Sequence, residues 1–236
     1  MKVMTYNIQN DYKLFNNNII KNKAKDIVSL IEKYDIDIVG FQELGDRQVG
    51  LYKKLLDNYT FIGEHRHSGF LSNEYTALFI KKDIKINGFK TYSLSDNCER
   101  LGTKLANHNY PRICSLCHIT YEKQNYLVIN LHLDNSNDDN RGEELEILNN
   151  IINKERKKEH LIIMGDFNMG ETKYLKSFIK KYNLKNCTIH LGNTYINSKM
   201  ILDHILISNT LNCDYKEKLL VNSSDHYPLV TSVSNK

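Results

Sequence analysis

The sequence predicts an α/β fold, because short apolar runs alternate along the chain with longer stretches of helical periodicity. The run 160–164 is almost continuously apolar, which is typical of a strand that is buried on both faces. In residues 23–34, apolar side chains recur three and four positions apart, which indicates an amphipathic helix. No repeat and no linker-like change in composition interrupts the pattern, so we expect one domain spanning residues 1–236.

The first half of the chain is predicted to begin with a strand at 2–7. A helix at 23–34 then presents an apolar face made of Ile27, Val28, Leu30, Ile31 and Tyr34. Strand 36–41 follows, and a second helix at 47–57 has apolar positions at Val49, Leu51, Tyr52, Leu55 and Leu56. Three further apolar runs predict strands at 60–63, 75–81 and 84–91.

In the second half, residues 93–109 have no clear period and are predicted to form a loop. The runs 112–120 and 126–132 are close enough to form a β-hairpin, and the polar segment 135–140 leads to a helix at 141–157. The remaining predicted elements are a strand that ends at Met164, a helix at 173–182 and strands at 187–190, 201–207 and 227–233.

Composition places the chain among ordinary globular proteins: 236 residues, 41% hydrophobic, 25% charged, with a net charge of +4. This small basic excess permits a polyanionic substrate without requiring one. No run approaches the ~18 apolar residues of a membrane span, and residues 1–20 lack the apolar core of a signal peptide. The five cysteines are scattered and odd in number, unlike a disulfide framework. We therefore expect a cytoplasmic monomer without a membrane span.

Candidate functional residues follow the strongest predicted strand. The apolar run that ends at Met164 leads directly into Gly165-Asp166-Phe167-Asn168. If this segment is extended, the side chains of Asp166 and Asn168 project to the same side. An ordinary Asp/Asn turn explains the same two residues equally well.

Other predicted strands carry the same residue types at or beside their ends. These residues are Asn7, Glu43, His132 with Asp134, Asp203 with His204, and Asp225 with His226. Carboxylate and amide oxygens are the ligands that suit Mg²⁺. The histidines lack the close spacing of a zinc site, so they are better interpreted as proton-transfer or phosphate-binding groups.

Six short motifs, in this order, resemble those of the endonuclease/exonuclease/phosphatase superfamily, which includes deoxyribonuclease I. They are Thr5-Tyr6-Asn7, Phe41-Gln42-Glu43, Asn130-Leu131-His132-Leu133, Gly165-Asp166-Phe167-Asn168, Leu202-Asp203-His204-Ile205 and Ser224-Asp225-His226-Tyr227-Pro228. Each motif is weak alone, but their order over residues 2–233 is specific. The resemblance implies a four-layer α/β sandwich, in which helices flank two packed mixed β-sheets, with a metal-dependent phosphoester hydrolase site at one edge.

The metal is predicted to bind at Glu43, because an acid at the end of a nearly continuous apolar strand has little structural reason to be there. A helix N-terminal acid is the alternative explanation of this residue. Asn7 would share the ion or its water, and the resemblance adds Asp225 to the same site. The ion expected there is Mg²⁺, or Mn²⁺ in its place.

The proton-transfer residue is predicted to be His226, acting as general base or as a proton carrier in the transition state. A neutral imidazole needs an acceptor that fixes its tautomer, and the resemblance gives that role to Asp203. His204 lies on the opposite face of the same strand, so it is left out as structural or rim-exposed. Asp166 and Asn168 would position the attacking water and a phosphate oxygen.

The resemblance implies further site residues. His132 matches a histidine that a glutamate from a preceding strand orients, and Glu74 matches that glutamate. Arg112 matches a position near the phosphate, where a planar guanidinium grips two oxygens. Tyr110 is a weaker companion of Arg112.

The sequence predicts a reaction type more firmly than a substrate. A nuclease or nucleotide phosphodiesterase is favoured, a hydrolase of a small phosphoester such as an inositol phosphate or lipid head group is the alternative, and a non-catalytic binding protein is remote. Three departures bear on this choice: Gln9 replaces the acid of the abasic-site branch, long lipid-branch insertions are missing, and 193–198 lacks the histidine of many bacterial relatives. Loop residues that could bind nucleic acid, or be solvated surface, are His65, Arg66, His67, Phe70, Arg100 and Lys104.

Overall fold

The computed structural model describes residues 1–10, 17–67 and 73–236. Its helices are α1 (Asn17–Lys33), α2 (Asp46–Leu55), α3 (Asp138–Glu155) and α4 (Lys173–Lys181). Its strands are β1 (Lys2–Asn7), β2 (Ile38–Gly45), β3 (Tyr59–Ile62), β4 (Glu74–Lys81), β5 (Lys85–Ser93), β6 (Ile113–Tyr121), β7 (Gln124–His132), β8 (His160–Asp166), β9 (Leu184–Asn186), β10 (Asp203–Ser208), β11 (Leu211–Lys218) and β12 (Leu229–Asn235). No helix in these ranges is both long and apolar enough to span a membrane.

The strands form two mixed sheets of six strands each. The first sheet has the order β11-β12-β1-β2-β4-β3, and the second has the order β5-β6-β7-β8-β10-β9. In each sheet the central pair is parallel, β1 with β2 and β7 with β8, and the outer neighbours are antiparallel. The carboxyl ends of each parallel pair therefore lie at one edge of their sheet.

Three separate hydrophobic clusters hold the layers together. Alternating residues of β1 point to opposite faces, so Val3 packs between the two sheets and Met4 packs outward against α1 and α2. A third cluster joins the outer face of the second sheet to Leu148 of α3 and Leu175 of α4. Helices, sheet, sheet and helices thus form four layers, which confirms the predicted four-layer α/β sandwich.

A polar contact crosses the apolar seam between the sheets. Asn130 of β7 is fully buried, and its Nδ2 donates to the carbonyls of Phe41 at 2.9 Å and Ala77 at 2.8 Å. Its Oδ1 accepts a hydrogen bond from Gln42 Nε2 at 2.6 Å. Because β2 has a bulge between Phe41 and Leu44, these bonds tie the irregular part of the first sheet to the second.

The predicted elements are mostly present, with three corrections. The predicted strand at 187–190 is wrong: the short strand there is β9 (Leu184–Asn186), and Ile189–Leu191 forms a turn of 3₁₀ helix. β11 was not predicted, because its exposed face is rich in charged residues and carries little apolar alternation. β2 continues past Glu43 to Gly45 through the bulge. The 93–109 loop and the β6–β7 hairpin agree with expectation.

Candidate active site

One pocket of about 780 Å³ lies at the sheet edge where the parallel pairs end. It is lined by Gln9, Asn10, Glu43, Arg66, Glu74, Tyr110, Arg112, His132, Asn135, Ser136, Arg141, Asp166, Asn168, Tyr195, Met200, Leu202, Asp225 and His226. Nine of the site residues predicted from the sequence are in this lining. The other two, Asn7 and Asp203, lie directly behind it, and each bonds a lining residue.

Asp166 and Asn168 reach the pocket by a different backbone geometry from the extended one expected. β8 ends at Asp166, and Asn168 has a φ of 51°, in the left-handed region. Asn168 N donates to Asp166 Oδ1 at 2.9 Å, so the two residues form an Asx turn. Gly165 precedes this turn with a φ of 149°, and a Cβ there would stand 2.0 Å from the Leu131 carbonyl oxygen. Only glycine can therefore occupy position 165 in this conformation.

Acidic and amide groups from separate segments meet around Asn7. Asn7 Nδ2 donates to Glu43 Oε1 at 3.1 Å and to Asp166 Oδ2 at 3.0 Å, and the side chain is 1% exposed. Asp225 Oδ2 accepts from Gln9 Nε2 at 3.2 Å beside this group. Burial and the nearby Asp203 carboxylate raise the pKa of Asp166 to about 7.

This donor set fits a hard divalent cation. Glu43 and Asp225 both line the pocket and offer carboxylate oxygens, which are the ligands of Mg²⁺. Asn7 does not offer its oxygen in this arrangement: Nδ2 faces the carboxylates, and Oδ1 accepts the main-chain N–H of Gln9 at 3.0 Å. Asn7 would coordinate an ion only if its side-chain amide flipped so that Oδ1 faced the carboxylates.

His226 and Asp203 form a buried pair. His226 Nδ1 lies 2.8 Å from Asp203 Oδ2, and its Nε2 faces Asp166 Oδ2 at 3.7 Å. Burial alone would lower the pKa of His226, but Asp203 and Asp166 outweigh it and raise the pKa to about 10. The second carboxylate oxygen of Asp203, Oδ1, has no hydrogen-bond partner among the described residues. The raised pKa favours the protonated imidazole, whose Nε2–H would face Asp166 and the pocket.

His132 is paired with Arg112 rather than with the expected glutamate. Arg112 Nη1 lies 3.1 Å from His132 Nε2, and burial together with Arg112 lowers the pKa of His132 well below its usual range. Glu74 instead bonds Arg66, with 2.6 Å between Oε2 and Nη1. No Glu74–His132 hydrogen bond is present among the described residues, because a nearby guanidinium offers the carboxylate a stronger charge-assisted partner than a neutral imidazole does.

The predicted loop residues divide into two groups. Arg66 is buried beneath the Tyr110 ring, 5.2 Å from its centroid, and Tyr110 is 50% exposed at the rim. Lys104 is not part of the pocket lining and donates to the His108 carbonyl at 2.6 Å. Phe70 lies outside the described residues. His204 is fully buried, with Nε2 at 2.8 Å from the Met169 carbonyl, which confirms the structural alternative for it.

Some pocket residues had no signal in the sequence. Arg141 enters from the first turn of α3, where it also donates to the Asp134 carbonyl at 3.1 Å. Tyr195 packs its ring 5.2 Å from that of His226. Asn10 N donates to Glu43 Oε2 at 3.3 Å. Their positions depend on long-range packing, which no local pattern of residue types reveals.

The fold and pocket define a class of protein: a deoxyribonuclease I-like sandwich with a carboxylate and imidazole site at one sheet edge. The model of the Endonuclease/Exonuclease/phosphatase family matches residues 4–226. The chain belongs to this family of phosphoester hydrolases. No curated protein sequence matches it significantly.

Solved structures with the same fold cover nearly the whole chain. An endonuclease/exonuclease/phosphatase family protein of Bacteroides thetaiotaomicron is 23% identical, has a TM-score of 0.88, and covers 100% of this chain and 98% of its own. A mannosyl-6-phosphatase of the same species is 24% identical with a TM-score of 0.87, and covers 99% of each chain. The human nocturnin catalytic domain with a bound sulfate anion is 21% identical with a TM-score of 0.82, and covers 100% of this chain and 93% of its own. At these identities the comparisons show a common fold.

Proposed function

We propose that this chain is a Mg²⁺-dependent phosphoester hydrolase that acts on a small phosphorylated molecule, with a nucleotide as the first candidate. The observation that carries the proposal is the convergence of Glu43, Asp166 and Asp225 with two imidazoles in one pocket. Acids for a cation and imidazoles for a phosphoryl group are the two requirements of this chemistry.

Glu43 and Asp225 are the residues that would hold Mg²⁺, or Mn²⁺, with Asn7 joining them once its side-chain amide flips. When bound, the ion would draw charge from the phosphoryl oxygens and stabilise the negative charge of the transition state. Asn10 N and Gln9 Nε2 already bond one oxygen of Glu43 and of Asp225 respectively, which fixes how both carboxylates face the pocket.

The phosphoryl group would be held by Asn168 and by Arg112, whose Nη1 donates to His132 Nε2 at 3.1 Å and is oriented by it. Arg112 is 5% exposed and its Nε has no partner among the described residues, so this N–H is available for a phosphate oxygen. His132, Asp166 and His226 face one point, because Asp166 Oδ2 lies 3.6 Å and 3.7 Å from the two imidazole Nε2 atoms. That point is where the reacting phosphorus and water would meet.

Proton transfer is assigned to the groups around that point. Asp166 would accept the proton of the attacking water, which Asn168 helps to position. His226, held by Asp203 at 2.8 Å, would present its N–H to the phosphoryl group and carry positive charge towards it. This is the proton-carrier alternative of the sequence prediction, and the flanking of His226 by two carboxylates supports it over the general-base alternative.

The charge of the pocket favours a small substrate over a long nucleic acid. The lining contains three arginines, four carboxylates and no lysine among the described residues. Arg66 is neutralised by Glu74 at 2.6 Å, and Arg141 by Asp138 at 2.6 Å, which leaves Arg112. A nucleic-acid track instead needs many free cations along its length. The cavity of about 780 Å³ is of the size that takes a small ligand.

Within that class, Tyr110 supports a nucleotide. Its ring is exposed at the rim and backed by the Arg66 guanidinium at 5.2 Å, which makes a platform on which a base can stack. A sugar phosphate is the second candidate, because Asn135 and Ser136 supply polar groups to the lining that suit hydroxyls. The mannosyl-6-phosphatase with the same fold supports this candidate.

The test is a substrate panel with and without Mg²⁺: nucleotides, sugar phosphates, inositol phosphates, single-stranded DNA and RNA, and bis-p-nitrophenyl phosphate. We expect Mg²⁺-dependent turnover of a nucleotide or sugar phosphate, with a shallow dependence of KM on salt. Preferred cleavage of DNA or RNA with a steep salt dependence would contradict the small-substrate proposal. Turnover that persists in EDTA would contradict the metal.

A further inference from the structure

We propose that a second divalent cation site, separate from the active-site pocket, is formed by His108, Asp134 and Glu144, and that it takes Zn²⁺. The ligand atoms of these residues lie within 4.8 Å of one another and all three residues are buried. His108 lies in the loop between β5 and β6, Asp134 follows β7, and Glu144 belongs to α3. None of the three lines the pocket.

The distances suit a single ion. His108 Nδ1 is 3.0 Å from Glu144 Oε1 and 3.9 Å from Asp134 Oδ2. Nitrogen and oxygen ligands at about 2.0–2.2 Å from a zinc ion stand roughly 3–4 Å from one another. A mixed nitrogen and oxygen donor set suits Zn²⁺, whereas Mg²⁺ takes oxygen donors and water.

One carboxylate oxygen in the cluster is without a partner. Asp134 is 0% exposed, and its Oδ2 has no hydrogen-bond partner among residues 1–10, 17–67 and 73–236. A buried carboxylate oxygen that is left unpaired is costly. Because this oxygen faces the His108 ring at 3.9 Å, a cation in the cluster is the partner that would satisfy it.

The surrounding bonds fix the orientation of the two carboxylates. Asp134 Oδ1 accepts from Ser136 N at 2.7 Å, and Glu144 Oε2 accepts from Asp134 N at 2.7 Å. Each carboxylate is thus held by one oxygen and turns the other inward. On the far side of the ring, His108 Nε2 lies 3.5 Å from Glu143 Oε2 but has no hydrogen-bond partner among the described residues. A carboxylate behind the non-coordinating nitrogen is the usual support of a metal-bound histidine.

A histidine elsewhere in the chain provides the contrast. His118 also lies between two carboxylates, with Glu159 2.7 Å from Nδ1 and Glu155 3.6 Å from Nε2. These acids are on opposite sides of the ring, so they cannot share one ion with a single ring nitrogen. His118 is therefore the matched control for His108.

A zinc ion at this site would hold one wall of the substrate pocket in place. The loop that contains His108 continues to Tyr110 and Arg112, which line the pocket. An ion that joins this loop to α3 and to the end of β7 would restrict the positions available to both residues. Zn²⁺ binding is therefore expected to lower the KM for substrate more than it changes kcat.

The experiment is zinc stoichiometry in a variant whose active site has lost two of its ion-binding groups. In the parent Glu43→Gln/His226→Gln, chelator-treated protein is incubated with Zn²⁺ alone, dialysed and measured by elemental mass spectrometry. We expect about one equivalent, an X-ray absorption spectrum with one imidazole ligand, and a Tm rise of roughly 5–10 °C at saturating Zn²⁺. Adding His118→Gln should change none of these.

Adding His108→Gln should remove the bound equivalent and the Tm rise. Asp134→Asn keeps the shape of the side chain and should weaken binding at least tenfold, and circular dichroism checks the fold of each variant. If the parent binds no zinc, His108 and the two acids form a protonated ion cluster and the proposal is wrong. It is equally wrong if the parent and the His108→Gln variant retain the same zinc, or if the absorption spectrum contains no imidazole.

Discussion

Replacing Asp203 by Asn tests how the proposed hydrolase uses its buried imidazole. The change keeps the size of the side chain and removes the charge that holds His226 Nδ1 at 2.8 Å. A charge-assisted hydrogen bond of this kind contributes roughly 1.5–3 kcal/mol, and each 1.36 kcal/mol is tenfold in rate, so we expect kcat to fall about 10- to 150-fold. His226→Ala removes the group itself and should cost on the order of 10²–10⁴.

The assay is turnover of bis-p-nitrophenyl phosphate with Mg²⁺ for the wild type, both single variants and the double variant. Because Asp203 is proposed to act through His226, the double variant should be little worse than His226→Ala alone. Asp214→Asn is the matched control, since Asp214 accepts from the Ser234 hydroxyl at 2.7 Å in an exposed part of β11. Losses that multiply in the double variant, or a Asp203→Asn enzyme with unchanged kcat, would refute the pairing.

Three further outcomes are expected. Glu43→Gln should lower Mg²⁺-dependent turnover at least 10²-fold, while circular dichroism and Tm stay near those of the wild type. The control Glu122→Gln, in an exposed turn, should keep wild-type turnover, and full activity of Glu43→Gln would contradict the metal site. Asn130→Ala removes a donor from two buried main-chain carbonyls and should reduce the urea-derived free energy of unfolding by about 3–5 kcal/mol. The exposed Asn125→Ala on the same strand should change it by less than about 0.5 kcal/mol. Gly165→Ala places a Cβ 2.0 Å from a carbonyl oxygen and should destabilise by about 3 kcal/mol or lose activity through displacement of Asp166; wild-type behaviour in both measurements would show that the turn tolerates a side chain.

The positions of the site residues could be predicted because they follow from strand direction. In one sheet Asn7 is in the last parallel pair and Glu43 directly follows it, and in the other sheet the last parallel pair is His132 with Asp166. Apolar runs mark the strands, and side chains at the carboxyl ends of parallel neighbours meet. The order of the motifs then adds the arrangement of the two sheets, which periodicity alone does not give.

The sequence could not predict which site side chains bond one another, since this depends on which groups meet across the pocket. Glu74 bonds Arg66 because the two lie on neighbouring segments joined by the N–H of Arg66 and the carbonyl of Glu74 at 2.9 Å. The left-handed backbone of Asn168 is likewise invisible in a pattern of residue types. β11 was not predicted for a different reason: an exposed edge strand does not need alternating apolar residues.

The pairing of β1 with β12 has a consequence for the order in which the protein folds. Met1 N donates to the Val233 carbonyl across 232 positions of sequence, so β1 pairs with a strand that is synthesised long after it. Contacts this remote make folding slow, and until β12 arrives β1 has an open edge that other chains could occupy. Asp225 and His226 immediately precede β12. Until that segment is made, the site has His132 and most of its carboxylates but lacks Asp225 and His226, so the proposed hydrolytic activity would be acquired late in folding.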